Sequence, residues 1–122
     1  MTINSIYFTK EELQCQETGE LDMSQDFIDT LDSLRANCDF PFVVTSGYRS
    51  PEHSLEKRKE QPGAHALGLA IDIRSNSKQK AIIMDEAKKL GFTRFGINKS
   101  FIHIDLADTE DSRFPSNVVW AY

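Results

Sequence analysis

Leu69-Ala70-Ile71-Asp72-Ile73-Arg74 and Phe101-Ile102-His103-Ile104-Asp105-Leu106 are the two stretches on which the fold turns. In each, a branched aliphatic residue recurs at every second position, the period of a strand buried on one side. Leu69, Ile71 and Ile73 share one face of the first stretch, and Ile102, Ile104 and Leu106 share one face of the second. The opposite faces carry Ala70, Asp72 and Arg74 in one case and Phe101, His103 and Asp105 in the other. Two carboxylates and an imidazole are therefore expected to emerge onto one polar face, with Ala70 small enough to leave space beside Asp72.

Upstream of these strands, Ser24 can cap a helix in which Phe27, Leu31 and Leu34 recur at helical spacing, ending near Asn37. Phe40-Pro41 leads into Phe42-Val43-Val44-Thr45, a β-rich run that reads as a buried strand. Ser50-Pro51-Glu52 reads as a helix opening, with that helix running to about Lys59 and ended by Gln61-Pro62-Gly63. Asn76 or Ser77 opens another helix with an Ile83, Ala87, Leu90 stripe, Lys88 and Lys89 in its last turn and Gly91 as terminator. Thr9, followed by Glu11, Glu12 and Leu13, predicts a short helical turn, and the tail from Arg113 carries Trp120 and Tyr122. Strands and helices do not alternate in a strict βαβ rhythm. The expected class is α+β, a small, mainly antiparallel sheet with helices packed on one face, in a single domain spanning residues 1–122.

Composition narrows the function. The chain has 122 residues and a formal charge of −5, with 14 Lys plus Arg against 19 Asp plus Glu. That balance argues against a nucleic-acid partner, which calls for basic residues gathered on one face. The densest basic run, Lys57-Arg58-Lys59, is flanked by Glu56 and Glu60 and reads as a solvated segment. No apolar run approaches the ~20 residues of an integral membrane segment. Met1 to Tyr7 lacks the basic and apolar regions of a secretory signal, so synthesis in a cytoplasm without a Sec address is expected. Cys15 and Cys38 permit one disulfide at most and are read as two reduced thiols.

The third element of the polar face is His65, in the glycine-flanked stretch Gly63-Ala64-His65-Ala66-Leu67-Gly68 that precedes the first strand. Catalytic zinc sites use three protein ligands from His and Asp or Glu, leaving a position for an exchangeable water. His65, Asp72 and His103 would supply such a set. The same residues also fit a turn cap at His65, a surface hydrogen bond at Asp72 and a half-buried sheet histidine at His103, and spacing alone does not separate the two readings.

Three blocks taken together are more specific. His65-x-x-Gly68-x-Ala70-x-Asp72, preceded by Ser46-Gly47-Tyr48-Arg49-Ser50-Pro51-Glu52-His53 and followed by His103-Ile104-Asp105, resembles the M15 family of zinc peptidases. This is the D-alanyl-D-alanine carboxypeptidase and peptidoglycan endopeptidase group, and the chain looks most like its short, single-domain phage forms. The resemblance runs from about Phe8 to Tyr122. It implies a Hedgehog/D-Ala-D-Ala peptidase-like fold and one Zn2+ per chain on His65, Asp72 and His103. It also implies that Arg49 holds a substrate carboxylate or carbonyl oxygen, for which a guanidinium fork is suited. Gly68 and Ala70 would leave the metal accessible, while Tyr48 and Trp120 read as packing residues.

Departures from the family pattern mark the open points. Gly63 stands where relatives often have Ser. Many relatives place a general base a few residues before the last histidine, but Asn98, Lys99, Ser100 and Phe101 supply none. Asp105 is the substitute, ~7 Å along the strand from His103. It is read as a base, as a partner that orients a metal histidine, or as a further ligand. His53 is the other acid/base candidate, or else it pins its loop. Cys15 and Gly19 match part of a Cys-x-x-Cys-Gly motif of some phage relatives, but Thr18 replaces the second cysteine, so no second metal site is expected.

The function implied is zinc-dependent hydrolysis of peptide bonds in bacterial peptidoglycan by a monomer. It would act on the wall after release from the host cytoplasm or as a virion component. D-Ala-D-Ala, D-Ala-diaminopimelate and L-Ala-D-Glu bonds all fit. The competing class is a non-catalytic zinc-binding domain of the same fold that binds wall peptide or a protein partner.

Overall fold

The structure, a computed structural model, describes residues 3–122. Each α-helix among the described residues starts where a side chain satisfies a free N–H of the first turn. Thr9 and Glu12 form a reciprocal capping box on α1 (Lys10–Leu13). Ser24 accepts from the Phe27 N–H at the start of α2 (Gln25–Asn37), and Asn76 with Gln79 boxes the start of α3 (Ser77–Lys89). Phe27, Ile28, Leu31 and Leu34 of α2 and Ile83 and Ala87 of α3 are buried.

Among the described residues, five strands form one open sheet: β1 (Val43–Ser46), β2 (Ala70–Arg74), β3 (Arg94–Ile97), β4 (Phe101–Asp105) and β5 (Val118–Ala121). Their spatial order is β1-β2-β4-β3-β5, and every pairing is antiparallel except β3 with β5. Ile71, Ile73, Ile102 and Ile104 join the buried side chains of α2 and α3 in the main core. The expected small α+β architecture holds, with these helices on the apolar face. Phe42 lies just outside β1, and the β1–β2 register shifts between Val44 and Ser46.

Register builds the opposite face. Asp72 pairs with His103, His103 with Gly96, and Gly96 with Trp120, one row across β2, β4, β3 and β5. The next row sets Ala70 against Asp105 and Asp105 against Arg94. Directly opposed residues share a face, so the pleat alone gathers Asp72, His103, Asp105 and Arg94.

Two sequence expectations are corrected. The β-rich run read as a buried strand forms β1 at the edge of the sheet, with Val43 48% exposed. Residues 51–59 form a run of turns, held by bonds such as His53 N–H to the Ser50 carbonyl and Glu56 N–H to the His53 carbonyl, not a helix. Capping signals were present, but Leu55 is the segment's only large apolar side chain and it is 46% exposed, so there is no apolar stripe to anchor a helix. In addition, β3 and β5 are strands that the sequence did not announce.

Among the described residues, no helix is long and apolar enough to cross a membrane. Cys15 and Cys38 are both buried free thiols. Burial, together with the Glu86 carboxylate, pushes the Cys38 thiol up to about 11. A thiol reagent should therefore find Cys38 silent in the native protein at neutral pH and reactive in denaturant. Fast native labelling of Cys38 would contradict its burial.

Candidate metal centre

His65 reaches the sheet on a string of turns in which Leu67 N–H bonds to the Gly63 carbonyl and Gly68 N–H to the His65 carbonyl. Gly68 closes this string in the left-handed region, at φ +73°. A Cβ there would lie 2.2 Å from the Asp22 carbonyl oxygen. Gly68 is thus required by the backbone beside it, not by access to a metal as the resemblance had implied. Gly68→Ala should destabilise the protein by about 3 kcal/mol or more, from left-handed strain plus overpacking. A melting temperature equal to wild type would contradict this.

The Ser46-Gly47-Tyr48-Arg49 segment fixes the other side of His65. The Tyr48 N–H donates to the Leu13 carbonyl at 2.8 Å, and the Arg49 N–H donates to the His65 carbonyl at 3.2 Å. The Gly47 carbonyl lies 2.7 Å from His65 Nδ1. That contact assigns the proton to Nδ1 and leaves the Nε2 lone pair facing inward, 3.3 Å from Asp72 Oδ1. Tyr48 itself is buried in the main core, the packing role expected of it.

His103 is held at both nitrogens. Its Nδ1 lies 2.8 Å from Asp72 Oδ1, and its Nε2 lies 2.6 Å from Asp105 Oδ2. Ligand atoms of His65, Asp72 and His103 all fall within 4.8 Å of one another, and all three residues are buried. The set fits a divalent metal by its chemistry. Two imidazoles have their outer nitrogens engaged by an acceptor, and their inner nitrogens converge on one carboxylate.

Asp105 is fully buried, and its second oxygen is also committed. Oδ1 accepts from Arg94 Nε at 2.7 Å and from the Ala107 N–H at 3.0 Å. Arg94 donates further to the Pro115 carbonyl at 2.7 Å and lies between the rings of Phe114 and Trp120, 5.1 Å from each. Sequence reasoning missed Arg94. Its signal was the alternation of Arg94 and Gly96 with Phe95 and Ile97, on a strand too short to stand out.

Burial pushes the Asp72 carboxyl up, but hydrogen bonds from His103 and His65 outweigh it and hold the group well below the usual carboxylate range. Burial also pushes His103 down, yet its bonds to Asp105 and Asp72 leave it above the ordinary imidazole value. His65 is lowered, chiefly by burial. In the metal-free chain the two carboxylates thus favour the protonated form of His103. A metal must displace that proton, so binding should release up to about one proton near neutral pH and strengthen as pH rises through the raised value of His103. Calorimetric titration in buffers of different ionisation enthalpy reads this directly. Zero proton release would contradict it.

The triad lies at the floor of a cleft of about 360 Å³. Arg49, Lys59, Gly63 and Ala64 line it together with Phe101, Phe114, Trp120 and Tyr122. Trp120 covers Gly96, where a Cβ would sit 2.7 Å from the indole, and its ring centre is 5.4 Å from that of His103. Tyr122 packs against Phe101 in a tilted pair with ring centres 5.4 Å apart. Trp120 thus packs and also lines the cleft. Arg49 Nη1 lies 3.7 Å from Glu56 Oε2. The structure does not bring His53 to this cleft. Its Nε2 is 3.1 Å from Glu17 and its Nδ1 accepts from the Leu55 N–H, an arrangement that pins the loop.

The family model for peptidase M15 matches residues 6–105. The chain belongs to the peptidase M15 family. The matched segment contains Arg49, His65, Asp72, His103 and Asp105, so the metal-ligand candidates and their supports lie within the family's own region. Phe114, Trp120 and Tyr122, which wall the cleft, lie beyond it. No curated protein matches the chain at a significant level.

Proposed function

We propose that the chain is a zinc metallopeptidase that hydrolyses peptide bonds of bacterial peptidoglycan stems or cross-links, with His65, Asp72 and His103 holding one Zn2+. The observation that carries this reading is the convergence of His65 Nε2 and His103 Nδ1 on Asp72 at the floor of an open cleft, in a chain of a peptidase family. When bound, the metal supplies a polarised carbonyl and an acidified water.

The chain's own residues do the rest. Arg49, partly exposed in the cleft wall, offers a guanidinium to the carbonyl oxygen on which charge develops. Asp105 is a positioning residue, because it accepts from His103 Nε2 and keeps Nδ1 turned toward Asp72. Arg94 in turn fixes Asp105. Phe101, Trp120 and Tyr122 line one flank of the cleft. Arg49→Ala should lower kcat/KM about 100-fold or more while leaving metal affinity unchanged, the size of effect seen for loss of one oxyanion donor. An equal loss of metal would reassign Arg49 to structure.

A second reading is favoured by one specific observation. Both oxygens of Asp105 are engaged, and the relatives' upstream base is absent, so a non-catalytic zinc domain that binds wall peptide is the competitor. Mass spectrometry of purified peptidoglycan fragments, with zinc-loaded protein and a chelated control, separates the two. New fragments only with zinc establish the peptidase, and their masses name the bond. Unchanged fragments from protein holding about one zinc favour the binding domain. Phage origin, monomeric state and action on the wall after release, or from a virion, belong to this same proposal.

A further inference from the structure

One wall of the cleft carries two cations on a single carboxylate. Lys59 Nζ is 2.6 Å and Arg49 Nη1 is 3.7 Å from the same oxygen, Glu56 Oε2. The other oxygen, Oε1, accepts from the Gly63 N–H at 3.0 Å. Burial pushes Glu56 up, but the bonds from Lys59 and Gly63 and the charge of Arg49 more than offset it, so the group is ionised. Glu56 is almost fully buried, whereas the Lys59 side chain remains 42% exposed at the cleft. The remaining acids lining the cleft are spoken for, Asp72 by the two histidines and Asp105 by His103 and Arg94. This wall therefore holds one positive charge more than its own carboxylate neutralises.

Gly63 is what admits the ammonium. A Cβ at that position would lie 2.6 Å from Lys59 Nζ. The space that any other residue at 63 would fill, two positions before His65, is taken instead by the end of a lysine from four residues upstream. The lysine is tethered by a buried glutamate, and that fixes its ammonium in the wall of the cleft that holds the metal-ligand candidates without exhausting its donors, of which an ammonium has three.

We propose that Lys59 is a substrate-binding residue, an anion subsite that selects peptides bearing a free carboxylate beside the bond presented to the metal centre. This deepens the peptidase reading and rests on it for the identity of the ligand as a peptide. Arg49 acts at the carbonyl, and Lys59 supplies the separate charge contact that distinguishes an acid from its amide. Removing one charged hydrogen-bond partner of this kind changes affinity by about tenfold or more.

The test uses an acetylated D-alanyl-D-alanine peptide as the free acid and as the carboxamide, titrated calorimetrically into zinc-loaded protein and followed in parallel for hydrolysis. Wild type should bind the acid about tenfold more tightly than the amide. Lys59→Met should bring that ratio close to one by weakening the acid alone, and Lys59→Arg should keep most of it. Gly63→Ser should also lower the ratio by displacing the ammonium, at little cost to folding because the atom it meets is the tip of a flexible side chain. A ratio of one in wild type, an unchanged ratio in Lys59→Met, or an equal loss for acid and amide would overturn the subsite and leave Lys59 as a structural tether. If the ratio behaves as expected but neither peptide is cleaved, the subsite stands and the D-Ala-D-Ala bond is excluded as the one hydrolysed, which leaves the peptidase reading to the peptidoglycan fragment assay.

Discussion

Asp105→Ala is expected to destabilise the protein by about 3–5 kcal/mol, because it strands the Arg94 guanidinium, 7% exposed, without its carboxylate. The same change frees His103 Nε2 and with it the ring orientation that turns Nδ1 toward Asp72. Zinc affinity should therefore fall about 10–100-fold, as expected for loss of a partner that orients a metal histidine. Asp105→Asn separates positioning from proton transfer. Asparagine keeps the shape and can still accept from His103, but its amide N–H groups then face the Arg94 donor. If Asp105 positions, this variant binds zinc more weakly and recovers much of its turnover at saturating metal. If Asp105 were the proton acceptor, zinc affinity would hold while turnover stayed near zero. Denaturant melts, zinc titration and turnover at saturating zinc, taken on both variants, decide the matter.

Asp72→Asn should have the larger functional effect. Asp72 Oδ1 is the one atom that both His65 Nε2 and His103 Nδ1 approach, and the Asp72 carboxyl stays ionised because those imidazoles hold it low. A neutral amide removes the anionic donor and turns an N–H toward the site. Metal affinity should drop by more than the ~10–100-fold of the Asp105 change, and activity should fall with it. The variant should remain folded, since the main core lies on the opposite face of the sheet. Retention of one tightly bound zinc by Asp72→Asn would remove this residue from the ligand set.

Much of this was legible in the chain. The period-two alternation of Leu69–Arg74 and Phe101–Leu106 placed Asp72, His103 and Asp105 on one face, and register then set Asp72 directly opposite His103. The cap at Ser24 marked one helix start to the residue, and the choice of Asn76 or Ser77 placed another to within one residue. What escaped was of another kind. Segment 51–59 has helix-opening chemistry but no apolar stripe, so tertiary contacts, among them the buried Glu56 with Lys59 and Gly63, set its path. Strands β3 and β5 are four residues each, and β5 gains its place by pairing in parallel with β3, a non-local contact that no local pattern announces. The engagement of Asp105 by Arg94 was hidden for the same reason, because it depends on which strand lies next to β4. Gly68 was noticed but explained wrongly. Its constraint comes from the Asp22 carbonyl, more than forty residues earlier in the chain and not visible in local sequence.

In the proposed function, peptide hydrolysis occurs at the His65–Asp72–His103 centre and depends on one metal there. The most direct measurement is the rate at which new amine termini appear in purified peptidoglycan as zinc is titrated into metal-free protein, with Asp72→Asn as the control. The rate should rise in proportion to zinc, level off at about one equivalent per chain, disappear on chelation and be absent in Asp72→Asn. A rate indifferent to chelation, or no rate at all from a wild-type chain that holds one equivalent of zinc, would contradict the proposed function.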